Sequence, residues 1–297
     1  MIKFRTEYKA EKSFLTLDPN NPVVLMGSCF SANISQKMIQ HGWEAYHIGG
    51  TLYNPLSIYL AIKLFLNEKG KEKFEESLFF NGEVWHSRYF DSSFSSLNRE
   101  DSISEFIKQK KQFLEVIEKG KTLIVTFGTS ISYFLKDDEM PVGNCHKQPA
   151  GEFFRRRLSI DEIGRYWEEI IQLIKNKVPT LNLILTVSPV RHLKDGFTGN
   201  SRSKSILLLA AEDICSRNEN CHYFPSYEIV NDDLRDYRFY AEDLVHPSEE
   251  AIEYIWENFQ DTYLNKEGKR VMTEEWKNFR RLQHRPMLGA LSKPLKK

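Results

Sequence analysis

The sequence predicts an α/β fold in which strands and helices alternate about a doubly wound sheet, and three observations predict it. Short apolar, β-branched runs recur along the chain, and strand and helix patterns alternate five times. The runs end in small polar turns, Gly27-Ser28, Gly49-Gly50, Gly128-Thr129-Ser130 and Ser188-Pro189. In such a sheet these turns converge beyond the carboxyl ends of the strands, where ligands bind. A chain of 297 residues, 41% hydrophobic and 13% aromatic, also suffices for one core with elaborations.

Pro22 to Gly27 (PVVLMG) reads as a buried parallel strand that stops at a functional turn. From Phe30 to His41, Ile34, Met38 and Ile39 recur at helical spacing, and Gly42 supplies the stop. Trp43 to Ile48 reads as a second strand running into Gly49-Gly50. Asn54 before Pro55 is an N-cap with proline at the first helical position, so a helix starts there on Leu56, Tyr59, Leu60, Ile62 and Leu64. SLFF and EVWHS flank Asn81-Gly82, a two-residue turn signal for an inserted hairpin. Ser102 and Glu105 fit a capping box ahead of a helix carrying Phe106, Phe113, Leu114 and Ile117.

Thr122 to Phe127 is the third strand, followed by an irregular stretch holding Asn144-Cys145-His146-Lys147. Ser159 and Glu162 cap a further helix through Trp167, Ile170 and Ile174. Leu181 to Val187 is the fourth strand, Ile206 to Ile214 a helix, and His222 to Phe224 a short strand. Ala241 to Ser248 is a loop, and Pro247 opens a helix from Ser248 to about Tyr263. One domain over 1–264 is expected. A segment over 265–297 follows it, with a helix around Thr273 to Leu282 and then a basic, Pro-containing tail that packs loosely.

Lys plus Arg and Asp plus Glu each number 41, so the chain carries no field that would draw it to nucleic acid or an anionic membrane. A small or carbohydrate substrate fits better. Met1 to Phe14 lacks the apolar stretch of a secretory signal, and the longest apolar run, Ile206 to Ala211, is far short of a membrane span. Cys29, Cys145, Cys215 and Cys221 show no C-x-x-C pair, so a reducing cytoplasm is the expected location.

Ser28 stands where the first strand passes into the first helix, so its hydroxyl projects at a helix N-terminus, where free N–H groups favour developing negative charge. An ordinary N-cap serine is the other reading of that position. Asp243 and His246 lie three residues apart in a loop entering a helix, so their side chains can meet. The carboxylate would then fix the imidazole's tautomer while the other ring nitrogen takes a serine proton. Cys29 could be a thiolate nucleophile at the same helix N-terminus, though its side chain should point away from a cleft that Ser28 faces. Cys145, His146 and His246 make a weak case for a metal site, and neither metal nor cofactor is expected. Asn144, His146 and Arg191 are candidates for substrate binding or for supporting the site.

Taken together, the strand-ending Gly-Ser, the glycine pair after the second strand, Gly-Thr-Ser after the third and a late D-x-x-H reproduce the block order of SGNH hydrolases. Within that superfamily the sequence closely resembles the GSCFA family, whose naming motif stands here as Gly27-Ser28-Cys29-Phe30-Ser31. NCHKQP at 144–149, TVSPVRHLKDGF at 186–197 and SRSKSILLLAAEDI at 201–214 look like that family too, and the likeness covers roughly residues 20 to 260. The resemblance implies a three-layer α/β/α fold, SGNH hydrolase or flavodoxin-like, with a five-stranded parallel sheet. It further implies Ser28 as nucleophile, with Asp243 and His246 completing a triad. The oxyanion hole it implies uses the Ser28 N–H, Gly50 (less readily Gly49) and a third-block asparagine. That block reads Gly128-Thr129-Ser130 here, so Thr129 or Asn144 would have to substitute. The activity implied is that of an esterase working through an acyl-enzyme, with a carbohydrate O-acetyl group as the suggested substrate. The alternatives are an acyltransferase acting on polysaccharide hydroxyls and a non-catalytic carbohydrate-binding or scaffold protein.

Overall fold

In the computed structural model, which describes residues 5–283, the run Val23–Gly27 forms strand β1 of a five-stranded sheet. The other strands are β2 (Ala45–Thr51), β5 (Thr122–Phe127), β9 (Asn182–Val187) and β10 (Cys221–Phe224). All pair in parallel in the order β10-β9-β5-β1-β2. A two-stranded hairpin, β3 (Leu78–Phe80) with β4 (Trp85–Ser87), is inserted before β5. A small antiparallel sheet of β6 (Ile131–Leu135), β7 (Pro141–Val142) and β8 (Phe153–Arg157) follows β5.

The helices are α1 (Cys29–Gln40), α2 (Pro55–Leu66), α3 (Gly70–Glu76), α4 (Arg99–Gly120) and α5 (Ile160–Lys177). They continue with α6 (Gly196–Arg217), the short α7 (Ser226–Glu228), α8 (Glu249–Tyr263) and α9 (Lys266–Gln283). Alternation along the strands sorts them into layers, because successive strand residues face opposite sides. Val24, Met26, Leu123, Val125, Leu183 and Leu185 pack with α2, α4, α5 and α6 on one side. Val23, Leu25, Ile124 and Ile184 pack with α1 and α8 on the other. This is the three-layer α/β/α fold expected, with its five-stranded parallel sheet. Among the described residues no helix is long and apolar enough to cross a membrane.

Several boundaries differ from the sequence-based expectation, each for a local reason. β2 begins at Ala45 and continues through Gly49 and Gly50, because its register against β1 breaks between Leu25 and Gly27 and the glycines occupy the irregular stretch at φ 87° and 66°. The hairpin closes one residue later than Asn81-Gly82 suggests: the Asn81 N–H donates to the Val84 carbonyl, placing Gly82 at the first central position with φ 100°. α4 starts at Arg99 with Asn98 as its N-cap, and Ser102 lies buried inside the helix rather than capping it. The capping box at Ser159 and Glu162 forms as read. Ser248 is the N-cap of α8, so Pro247 stands just before the cap. α6 begins ten residues before the apolar stretch at Ile206, because its first half turns Ser203 and Lys204 inward and shows no apolar period. α9 is longer than its apolar signal, and the basic tail over 284–297 lies outside the described residues.

Candidate active site

At the end of β1, Gly27 has φ 131°, and a Cβ there would stand 2.2 Å from the Thr126 carbonyl oxygen of β5. Only glycine allows this close approach of β1 to β5 immediately before Ser28. The Leu52 N–H donates to the Gly27 carbonyl at 2.8 Å and fixes the turn from the β2 side. Ser28 is the N-cap of α1 in extended conformation, yet its hydroxyl makes no capping hydrogen bond. Ser28 is 1% exposed and its Oγ has no hydrogen-bond partner among the described residues. A buried hydroxyl left unpaired costs about 1–3 kcal/mol, a cost tolerated where the group has another use.

Asp243 and His246 meet in the loop before α8. His246 Nδ1 lies 2.6 Å from Asp243 Oδ2, while Asp243 Oδ1 accepts from the N–H groups of Val245 (2.9 Å) and His246 (3.0 Å). The His246 backbone N–H, the His246 ring and the Val245 N–H together hold the Asp243 carboxyl down to about 2. The loop closes on itself through Ala241 N–H to the His246 carbonyl (2.8 Å), with Leu244 at φ 57° at its tip. Arg191 fastens it to the rest of the molecule. Its N–H donates to the Val245 carbonyl and its Nη1 to the Leu244 carbonyl, both at 3.1 Å, and its guanidinium lies over Phe197, Tyr237 and Tyr240.

A cavity of about 370 Å³ opens between these elements, lined among others by Cys29, Tyr53, Asn54, His192 and His246. Ser28 adjoins it: a Cβ placed on Gly128 would stand 3.3 Å from both Ser28 Cβ and His192 Nε2. His246 and Ser28 are not hydrogen-bonded to each other; catalytic hydrogen bonds commonly tighten only when substrate is bound. Cys29 lines the cavity rather than pointing away from it, and burial pushes its thiol pKa up, which opposes a thiolate there.

The other expected residues are distributed unevenly. Gly50 faces the inserted segment, where a Cβ would meet Asp91 Oδ1 at 2.2 Å and Ser93 Oγ at 2.6 Å, and it is not on the cavity wall. Thr129 is on the wall, with its hydroxyl 3.0 Å from Ser203 Oγ and accepting from the Ile131 N–H. Asn144 also lines the cavity, its Oδ1 accepting from the His146 N–H at 2.8 Å. His146 turns away from it. Its Nε2 lies 2.8 and 3.0 Å from the carbonyls of Ser87 and Phe90, and its ring stacks on His86 at 4.3 Å. Both rings line a second, polar groove of about 810 Å³ that shares Asn144 with the first cavity.

Three further residues on the cavity wall or buried behind it were not read from the sequence as site residues. Lys204 of α6 is fully buried and donates to the carbonyls of Gly128 and Ser188, both at 2.6 Å, tying together the turns after β5 and β9. Burial pulls its pKa down to about 7, against the pull of these two short donations toward the charged form. His192 follows Arg191, and burial together with the charges of Lys204 and His246 lowers its pKa to about 4. Asn54, read only as a helix cap, accepts at Oδ1 from the Ser57 N–H and the Ser132 hydroxyl, so its Nδ2 remains without a partner on the wall. The sequence did carry one signal: Lys204 continues the apolar stripe of Leu207, Ala211 and Ile214 on α6, a position where a lysine must be buried.

The model of the GSCFA family matches residues 22–259. No curated protein sequence matches the chain. Among solved structures, a Streptococcus pneumonia protein provisionally described as a platelet activating factor aligns at a TM-score of 0.42 and 12% identity, covering 84% of this chain and 86% of that one. An acetyl xylan esterase from the rumen bacterium Butyrivibrio proteoclasticus aligns at 0.44 and 9% identity, covering 81% of this chain and 63%, less than two thirds, of that one.

Proposed function

The chain belongs to the GSCFA family, and from that premise and the geometry at Ser28 we propose that it is a serine hydrolase of the SGNH type, an esterase acting through an acyl-enzyme. One observation carries the reading. A histidine whose Nδ1 is engaged by an anchored carboxylate at 2.6 Å borders the cavity beside a buried serine that caps nothing. Asp243 keeps Nδ1 as the donor, so His246 Nε2 is the free base. Ser28 Oγ attacks the ester carbonyl carbon as its proton passes to Nε2. The tetrahedral intermediate collapses with cleavage of the C–O bond, and His246 returns the proton to the leaving alcohol. Water, deprotonated by the same nitrogen, then releases the acid and restores the Ser28 hydroxyl.

A carbohydrate ester, with acetyl as the acyl group, is the substrate class we favour. Support comes from the polar groove beyond Asn144, which offers a path for a hydroxyl-rich leaving group longer than the cavity itself. Asn144 and Cys145, in the loop between β7 and β8, line the cavity and offer contacts to an acceptor alcohol, so transfer to a sugar hydroxyl is the second reading. Ester and alcohol products measured with and without added acceptor separate the two.

The direct test is labelling with a fluorophosphonate followed by intact mass. We expect one adduct on the wild type and none on Ser28→Ala. A folded wild type that takes no adduct contradicts the reading.

A further inference from the structure

We infer that His192 is the oxyanion donor of this site, its Nε2–H standing in for the third-block asparagine that the sequence lacks; the inference rests on the serine-hydrolase reading above. Of the donors expected from the sequence, Gly50 and Thr129 are engaged elsewhere or face away, and Asn144, which lines the cavity with its Oδ1 held by the His146 N–H, is not among the atoms packed against Gly128 beside Ser28. Gly50 is turned to Asp91 and Ser93, and the Thr129 hydroxyl is paired with Ser203. The N–H groups of Gly128 and Thr129 both donate to the Tyr53 carbonyl at 2.8 Å, and that of Ser28 lies 3.3 Å from the Thr126 carbonyl. A tetrahedral intermediate without a donor would lose on the order of 10²–10³ in turnover per missing hydrogen bond.

His192 is placed to fill that gap. Its Nε2 is buried and has no hydrogen-bond partner among the described residues. A Cβ on Gly128 would stand 3.3 Å from both Ser28 Cβ and His192 Nε2 and 2.8 Å from the Tyr53 carbonyl oxygen, so Ser28 and the imidazole nitrogen flank the same tightly packed glycine. An acyl oxygen bonded through Ser28 Oγ and turned toward the cavity, away from the Tyr53 carbonyl, comes within reach of that nitrogen. The ring is held in place: its backbone N–H donates to Asn200 Oδ1 at 2.9 Å, and its edge meets Tyr53 at a centroid distance of 5.9 Å and 85°. Burial first, and Lys204 beside the Gly128 carbonyl second, keep the imidazole neutral, so it donates rather than shuttling a proton. A neutral imidazole as electrophile beside a separate acid-base group is established chemistry. No proton is transferred by His192 in either half-reaction; its hydrogen bond shortens as the carbonyl oxygen gains charge and relaxes on collapse.

The experiment compares wild type, His192→Leu, His192→Gln and Asn54→Asp on 4-nitrophenyl acetate, with fluorophosphonate labelling rate and thermal melting measured on each. His192→Leu fills the site without a donor, and His192→Gln restores an N–H at similar reach. Asn54→Asp keeps the two hydrogen bonds accepted at Oδ1 while removing Nδ2. The expected result is a loss of about 10²–10³ in kcat for His192→Leu with KM changed only a few-fold, slower labelling of Ser28, and recovery of tenfold or more in His192→Gln. If His192→Leu melts early, the His192→Gln and Asn54→Asp variants still decide. Loss of kcat confined to Asn54→Asp, or a folded His192→Leu within threefold of wild type, overturns the inference while leaving Ser28 labelling and the esterase reading intact. A wild type that neither labels nor hydrolyses overturns both.

Discussion

The Asp243–His246 pair shows how much a few atoms can do in a loop that is largely open to solvent. Its side chains are 49% and 43% exposed, so the contact contributes little to folding, and its value lies in orientation. Asp243→Asn keeps an oxygen for the Val245 and His246 N–H groups but loses the carboxylate that selects the His246 tautomer. We expect kcat to fall by about 10⁴ while the melting temperature stays within about 2 °C. Because the Asp243 pKa is lowered to about 2, its contribution is present above the ordinary carboxylate range and is lost only as pH falls through about 2. The acid limb of a pH–rate profile above pH 4 therefore belongs to another group. Ser28, Asp243 and His246 were legible because their chemistry needs those residue types close to recognisable turns. His192 was not, because its place comes from the turn after β9 folding back over Gly128, and Lys204 showed only as a lysine on an apolar stripe, which does not say what it bonds.

Elements whose apolar faces are regular were legible from period and capping alone, as in α5 with its capping box and α2 behind Asn54. Those that turn polar residues inward were not. The first half of α6 exists to deliver Ser203 and Lys204, and the sheet of β6, β7 and β8 joins segments whose alternation is short and interrupted. The loop before α8 depends on the turn after β9 in the same way, through Arg191. Replacing that residue by Met retains the stem that packs among Phe197, Tyr237 and Tyr240 but removes the donation to the Leu244 carbonyl. We expect kcat to fall roughly 10- to 100-fold for Arg191→Met with KM nearly unchanged, since a small displacement of His246 harms geometry before it harms binding. Equal loss in kcat and gain in KM would instead place the guanidinium on substrate.

At the scale of the molecule, the segment after Leu264 continues the second core rather than hanging from it. Met272 of α9 is buried, and Trp276 stacks on His41 of α1 at 4.8 Å with the rings 8° apart. We propose that residues 265–283 fold with the preceding domain. Deleting 265–297 should then cost about 2–4 kcal/mol and lower the melting midpoint by roughly 5–10 °C, readable by calorimetry; an unchanged midpoint would assign the segment no part in stability. The strand order carries a different consequence. Gly27 pairs with Thr126 of β5, and β5 in turn with β9, so the turn that shapes Ser28 is not complete until a partner about a hundred residues downstream has been made. On a ribosome Ser28 emerges early and waits for β5 and β9 before its turn has a shape, and for the loop holding Asp243 and His246 before the cavity has a wall. The rate of long-range pairing then sets when the candidate site first exists.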